Sequence, residues 1–380
     1  MALKIGILST RGIPNHYGGF EQLAEYLSAG LAERGHEVIV YSSHRHPYKE
    51  KKWNNVSLVF CYDPEDKIGS AGQFIYDFNC LLDARKRNFD ALLILGYTSM
   101  SIWKALFPQK STIIFNMDGL EWKRNKYSSS VKKFLLYAEK LAVKSGDHFI
   151  SDSPVIKTYL KNKYNIQSEY IAYGAEIRND EDESILPYYQ IEKFNYYLIV
   201  ARIEPENNIE MILDGFIASK TDKKIIVVGN MSNKFGKHLT TKFGGDQRIV
   251  FPGTVYDKKT KHSLCFYCAM YFHGHSTGGT NPSLLEAMGS SAPIASHKND
   301  FNKEVLGDDA FYFSNANEIT NIIENKVREQ TGMMIENNLR KIHEYHNWTD
   351  IINHYEKFIV YCYNQKNLER NIYFKGYASK

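Results

Sequence analysis

The stretch Phe272 to Gly289, FHGHSTGGTNPSLLEAMG, gathers residue types suited to holding an anion. Gly278 and Gly279 leave the backbone without side-chain bulk, Asn281 suits an N-cap, Pro282 suits the first helical position, and Ser283 to Met288 is good helix sequence. A helix is therefore predicted to start near Asn281. Its free N–H groups and positive dipole end, reached over the glycines, make a seat for a phosphate or diphosphate. Glu286, about one turn in, is placed to accept hydrogen bonds from vicinal hydroxyls such as those of a ribose. A Gly-rich loop before an ordinary helix would also read GGTN. The order of the parts favours the anion seat: an apolar strand (Ala269 to Phe272), His273 and His275, two glycines, a helix start and an acid.

Other strand ends carry chemistry too. Arg202 follows the apolar run Tyr196 to Val200 and offers a bidentate cation to a diphosphate; a surface ion pair with Glu204 or Glu206 is the plainer alternative. Near the start, TRGIPNHYGGFE matches neither GxGxxG nor the Walker pattern, yet Gly18 and Gly19 stand at the carboxyl end of the first strand, where α/β sheets place ligands. Arg11, His16 and Glu21 are candidates to face such a ligand. In NMDGLEW, Asp118, Glu121 and Trp122 follow another strand, and a carboxylate beside an aromatic ring suits a sugar or an attacking hydroxyl. Either acid could equally cap the next helix.

These residues need a scaffold, and the hydrophobic pattern supplies two. Lys4 to Ser9, a helix from about Phe20 to Arg34, and HEVIVYS form an opening β-α-β unit, continued by strands at Val56 to Cys61, Ala91 to Gly96, Thr112 to Phe115 and His148 to Ser151. A second α/β series runs through Tyr196 to Val200, Lys224 to Gly229, Gln247 to Phe251 and Ala269 to Phe272. The acidic segment Arg178 to Lys193 between them reads as a linker. The expected division is 1–190, 191–350, and a closing helix and tail over 351–380, its aromatic residues packed on a domain face. The fold class is α/β with two Rossmann-like domains, whose strand ends would form a bilobal site.

With 380 residues, 43% apolar and 24% charged, the chain suits two ordinary globular domains. A net charge of +4 does not argue for nucleic acid. No signal peptide or membrane-length apolar run is visible, so a cytoplasmic location is expected. Five scattered cysteines make no disulfide framework, and Cys265 and Cys268 read as core. The segment from Glu121 to Lys163 is the most basic part; with Trp122, Phe134 and Tyr137 interspersed it could rest on an anionic inner-leaflet membrane surface, or be a solvated helix face.

Four motifs in order, RGIPxxYGGFE, NMDGLEWKR, EPENN and HGHxxGGTNPSLLEAM, make the chain resemble the retaining family 4 glycosyltransferases of the GT-B fold, and among them bacterial rhamnosyltransferases of capsule and cell-wall polysaccharide synthesis. The resemblance implies two domains facing across a cleft, a nucleotide-sugar donor such as dTDP-L-rhamnose bound by the C-terminal half, and a glycan acceptor, often on a polyprenyl diphosphate, bound by the N-terminal half. It further implies that Glu286 holds the ribose as the second glutamate of an E-x7-E motif, that Gly279, Thr280 and Asn281 bring amides to the donor, and that Arg202 binds the diphosphate. Gly278 stands where the first glutamate is usual, and Asn207 where a lysine is usual; His273, His275 and Lys234 are the residues available in their place. On this reading Arg202, Glu286, His273 and Asp118 are catalytic. Gly18, Gly19, His275 and Gly278 to Asn281 join Arg202 and Glu286 at the donor, and His16, Glu21, Asp118, Glu121 and Trp122 meet the acceptor. The donor is a substrate rather than a cofactor, and no metal is expected, since a cationic side chain and helix amides already neutralise the phosphate. A nucleotide-sugar 2-epimerase of the same fold and a non-catalytic sugar-nucleotide binding subunit are the alternatives.

Overall fold

The computed structural model describes residues 1–378 apart from 118, 125, 126, 277 and 278, with side chains through Glu369. Contacts divide the chain into two compact units, one formed by 1–122, 129–173 and 348–380, the other by 123–128 with 174–347.

The first unit is built on an eight-stranded sheet from β1 (Lys4–Leu8), β2 (Glu37–Ser43), β3 (Lys52–Trp53), β4 (Val56–Cys61), β5 (Ala91–Leu95), β6 (Thr112–Asn116), β7 (His148–Ser151) and β8 (Glu169–Tyr170). Its order is β3-β4-β2-β1-β5-β6-β7-β8, and every pairing is parallel except the β3–β4 hairpin. All five residues of β5 and of β6 are buried, the signature of central strands covered on both faces. The second unit holds a six-stranded parallel sheet, order β11-β10-β9-β12-β13-β14, from β9 (Tyr196–Val200), β10 (Lys224–Val228), β11 (Ile249–Gly253), β12 (Met270–His273), β13 (Ile294–His297) and β14 (Phe311–Phe313). Its core is apolar throughout, with Ile199, Val227, Phe272 and Phe313 on strands and Ile212, Phe216 and Ile319 on helices.

Two expectations about organisation change. The segment Arg178 to Lys193 is no free linker. Its Arg178 amide donates to the Gly289 carbonyl (3.2 Å), its Asp182 amide to the Ser263 hydroxyl (2.9 Å), and Asp182 caps the 3-10 turn Glu183–Tyr189 while pairing with Lys259 at 3.0 Å. Charge made it look unstructured, but those charges serve the second unit, and the division falls at 173/174. The final helix, Trp348–Ala378, packs on a domain face as expected, but belongs to the first unit rather than forming a third one. Trp348 stacks on Tyr26 at 4.3 Å, Glu356 pairs with Arg34 and His36 at 3.1 and 3.0 Å, and the Asn116 amide donates to the Tyr355 hydroxyl at 3.1 Å. Trp348 and Tyr355 are accordingly buried, as aromatic residues packed on a domain face should be. Cys265 and Cys268 are buried core thiols.

Candidate functional site

In the second unit two loops at strand ends are laced together. β12 ends at His273, and Gly274 follows where a Cβ would stand 2.0 Å from the Asn207 carbonyl oxygen, so only glycine fits. The Asn208 side chain donates to the Gly274 carbonyl (2.8 Å), and the Ser276 amide and hydroxyl both donate to the Glu206 carbonyl (3.1 and 2.8 Å). Beyond the glycine, Asn299 and Asn302 each donate to the His275 carbonyl at 2.9 Å. None of these supports was read from the sequence, because each joins segments far apart in the chain.

Arg202 leaves β9 on the 3-10-containing loop 201–208 and is exposed. Its carbonyl takes hydrogen bonds from the Asn207 side chain (2.7 Å) and the Glu204 amide (2.9 Å). Asn207 is thus a buried brace for the loop rather than a second cation. Glu206, almost fully buried, pairs with Arg124 at 3.4 Å. The guanidinium of Arg202 takes no ion-pair partner among the described residues, which removes the surface-pair alternative. Asn233 caps helix Lys234–Phe243 and donates to the Ile203 carbonyl at 2.7 Å, which ties the exposed Lys234 to the same loop.

The two histidines stack face to face, ring centroids 4.3 Å apart at 11°, with Tyr271 on the other side of His273 at 6.2 Å. Both ring nitrogens of His273, and Nδ1 of His275, lack hydrogen-bond partners among the described residues. Burial, helped by His297, pushes His273 down to about 3. Burial also holds His275 well below the ordinary value, with His273, Arg202 and Arg124 adding to the effect. Both imidazoles are therefore neutral near pH 7, able to donate or accept a hydrogen bond but not to serve as cations.

Helix Pro282–Gly289 begins where predicted, with Asn281 at the N-cap position and Pro282 at the first turn. The Asn281 side chain makes no capping bond; its carbonyl receives the Leu284 and Leu285 amides at 3.0 and 3.2 Å. Gly279 and Thr280 are buried beside it. Glu286 is half-buried and pairs with Lys261 at 3.2 Å, so the ribose position proposed for it already has a cation at hand. Gly278 lies outside the described residues. No group of three His, Cys, Asp or Glu side chains able to hold a metal occurs among the described residues.

The first unit arranges its candidates differently. Gly18 is the N-cap of helix Gly19–Glu33 in an extended conformation with room for a side chain, so neither strain nor crowding demands glycine there. Glu21 does not face solvent. It is buried and accepts from the Arg11 amide (2.8 Å) and the Thr10 hydroxyl (3.3 Å), a bracing of the preceding loop that the sequence did not reveal. Arg11 is bound through two nitrogens by Glu65 (3.0 and 2.7 Å) and lies 3.9 Å from the Tyr17 ring centre. His16 is exposed. Glu121 begins a 3-10 turn, and Trp122 packs into an aromatic cluster with Tyr159 (6.3 Å) and Lys163 (5.3 Å) around the buried Glu139. Asp118 lies outside the described residues.

Comparisons with known proteins agree with this division. Residues 3–176 match a family model described as a domain of unknown function (DUF1972), and residues 182–341 match the model described as glycosyl transferases group 1. No curated protein sequence matches the chain. Among solved structures, sucrose-phosphate synthase from Thermosynechococcus elongatus is similar with a TM-score of 0.80 at 14% identity, over 96% of this chain and 100% of that one. HepE from Anabaena, solved with UDP and glucose, gives a TM-score of 0.73 at 15% identity over 94% and 99%. The α,α-trehalose 6-phosphate synthase from Burkholderia multivorans gives 0.73 at 9% identity over 97% and 99%. The chain thus has the two-domain α/β fold of GT-B glycosyltransferase structures, and within its second unit residues 182–341 match the glycosyl transferases group 1 model.

Proposed function

We propose that the protein transfers a sugar from a nucleotide-sugar donor to a hydroxyl of a glycan acceptor, with retention at the anomeric carbon, and that the sugar is L-rhamnose carried on dTDP. The observation that carries the reading is the exposed Arg202, with no ion-pair partner among the described residues, together with the buried His273 and half-buried His275, both neutral, and a helix start whose cap residue makes no side-chain capping bond. Such a group of donors suits a diphosphate. That HepE, of the same fold, was solved with UDP and with UDP-glucose supports a nucleotide-sugar partner. The rhamnosyl assignment rests on the motif resemblance alone.

In this mechanism the bond from the anomeric carbon to the diphosphate oxygen breaks as the bond to the acceptor oxygen forms on the same face. The acceptor proton passes to the departing phosphate. Arg202 and the amides of Gly279 to Asn281 carry the growing charge, Glu286 holds the ribose, and His273 and His275 offer neutral hydrogen bonds to the sugar. His16, Glu121 and Trp122, with Asp118, belong to the acceptor side, where a polyprenyl-linked glycan is the expected partner; Gly18 and Gly19 complete the donor contacts. No metal takes part, because a guanidinium and helix amides already balance the phosphate charge.

The test is a thermal-shift screen of nucleotide sugars, since a ligand bound to the native state raises its melting temperature by mass action. It is followed by turnover with and without a lipid-linked glycan. Stabilisation by dTDP-rhamnose and acceptor-dependent turnover that survives chelator is expected. Stabilisation by another donor removes the rhamnosyl assignment, turnover without acceptor makes the protein an epimerase, and binding without turnover makes it a non-catalytic subunit.

A further inference from the structure

Helix Ser129–Ser145 of the first unit has two unlike faces. Leu135, Ala138, Glu139 and Ala142 are buried, while Phe134 and Tyr137 are 38% and 56% exposed. The helix's one acid is therefore on the inner side, where Tyr159, Lys163 and Tyr164 bind it at 2.7, 2.9 and 2.6 Å. Lys133, Lys140 and Lys144 share the outer side with the two aromatic rings, and none has an ion-pair partner among the described residues. The outer face is thus cationic and aromatic without a counter-charge.

The apolar surface continues past this helix. The Phe134 ring lies 5.7 Å from that of Phe74 on helix Gly72–Ala84, and Phe78 of that helix lies 4.8 Å from Trp103, whose indole N–H donates to the Phe74 carbonyl at 2.9 Å. Ile75 and Leu82 of the same helix are 40% and 38% exposed, and the exposed Arg85 and Lys86 follow it. Two helices and the turn Ser101–Leu106 therefore present one surface of rings and aliphatic chains bordered by cations.

We propose that this face docks the protein on a bilayer bearing anionic headgroups. Rings and aliphatic chains would enter the interfacial layer while the lysines meet lipid phosphates, the pairing of two weak signals that reversible membrane attachment requires. Charge favours lipid over a second copy of the chain: interface cores between proteins are depleted in lysine, and the chain itself carries a net charge of +4. Among the described residues no helix is long and apolar enough to cross a membrane, so the attachment inferred is to the surface. The inference is independent of which sugar is transferred.

The experiment is co-sedimentation of the full chain with phosphatidylcholine vesicles, with and without phosphatidylglycerol. Binding is expected only to the anionic vesicles and should weaken as salt rises. The triple change Lys133→Glu, Lys140→Glu, Lys144→Glu should lower partitioning about a hundredfold, at about fivefold per lysine lost. The pair Phe134→Ser and Tyr137→Ser should lower it about tenfold. Nucleotide-sugar binding by each variant, measured by calorimetry, should stay at the wild-type value and so report an intact fold. As a second readout, a Tyr137→Trp variant should shift its emission to the blue on anionic vesicles. Wild type left in the supernatant with anionic vesicles, or variants that partition equally with it, would overturn the proposal. So would self-association that the Phe134→Ser, Tyr137→Ser pair abolishes while vesicle binding is absent.

Discussion

The two units open their central strands into glycine-bearing loops of similar sequence flavour, and the loops are finished in opposite ways. After β1, the charged groups find internal partners: Glu21 holds the Arg11 amide, Glu65 holds the Arg11 guanidinium, and His46 contacts the Pro14 carbonyl at 3.1 Å. After β9 and β12, the backbone is just as firmly braced, yet Arg202, three imidazole nitrogens and the Asn281 side chain lack such partners among the described residues. Buried polar atoms are ordinarily satisfied, and the ones that are not mark places where structure has been held ready for something else. The first loop commits most of its polar groups to shaping its unit; under the proposed function the second receives the anion, with Gly18 and Gly19 of the first completing the donor contacts.

The sharpest way to break that contrast is through the glycines. Gly274→Ala would force a Cβ to within 2.0 Å of the Asn207 carbonyl, and neither backbone can yield without undoing the Asn208 and Ser276 hydrogen bonds. A loss of about 3 kcal/mol in denaturant unfolding is expected, with donor binding lost alongside. Gly12→Ala, at φ +122° and against Ser42, should also destabilise, by about 1–3 kcal/mol. Donor binding should persist in the folded fraction. Equal loss of donor binding in both would erase the distinction between the loops.

Charge gives the next test. Arg202→Ala should slow transfer by roughly 10²-fold, the scale for removing one preorganised charge-stabilising group, with little change in melting temperature because the side chain has no ion-pair partner among the described residues. Arg11→Ala should do the reverse, costing about 1 kcal/mol of stability and leaving single-turnover transfer within about twofold of wild type. A smaller effect is expected at Glu286, where replacement by Gln keeps the shape: donor affinity measured by calorimetry should fall about tenfold, the scale of one charge-assisted hydrogen bond. Unchanged affinity would move the ribose away from this helix.

How much of this could be read in advance depended on distance along the chain. β4, β7 and β9 fall where hydrophobic runs placed them, and the helix after the GGTN loop starts at Pro282, because strand pattern and helix-start chemistry are local. The position of Arg202 at a strand end was legible for the same reason. What was not legible joins remote segments: Glu206 meets Arg124 from 82 residues away, Lys163 turns inward to Glu139 and leaves the cationic surface, and the last helix returns to the first unit. The acidic run at 178–193 misled because composition reports solvation, not the hydrogen bonds its backbone will make.

Titration supplies the finest comparison. In an unfolded chain a histidine protonates below about pH 6.5, whereas His273 in the native protein resists protonation until about pH 3 because burial strips the cation of water. Between those values the unfolded state binds more protons than the native one, so stability is complete above the unfolded value and falls as pH drops through the window. His46 in the first unit is also lowered by burial, but its backbone hydrogen bonds work against the shift. Replacing His273 with Gln should therefore flatten the acid limb of the melting-temperature profile more than replacing His46 does. A steeper loss for the His46 variant would mean that the first loop, rather than the second, holds the less compensated imidazole.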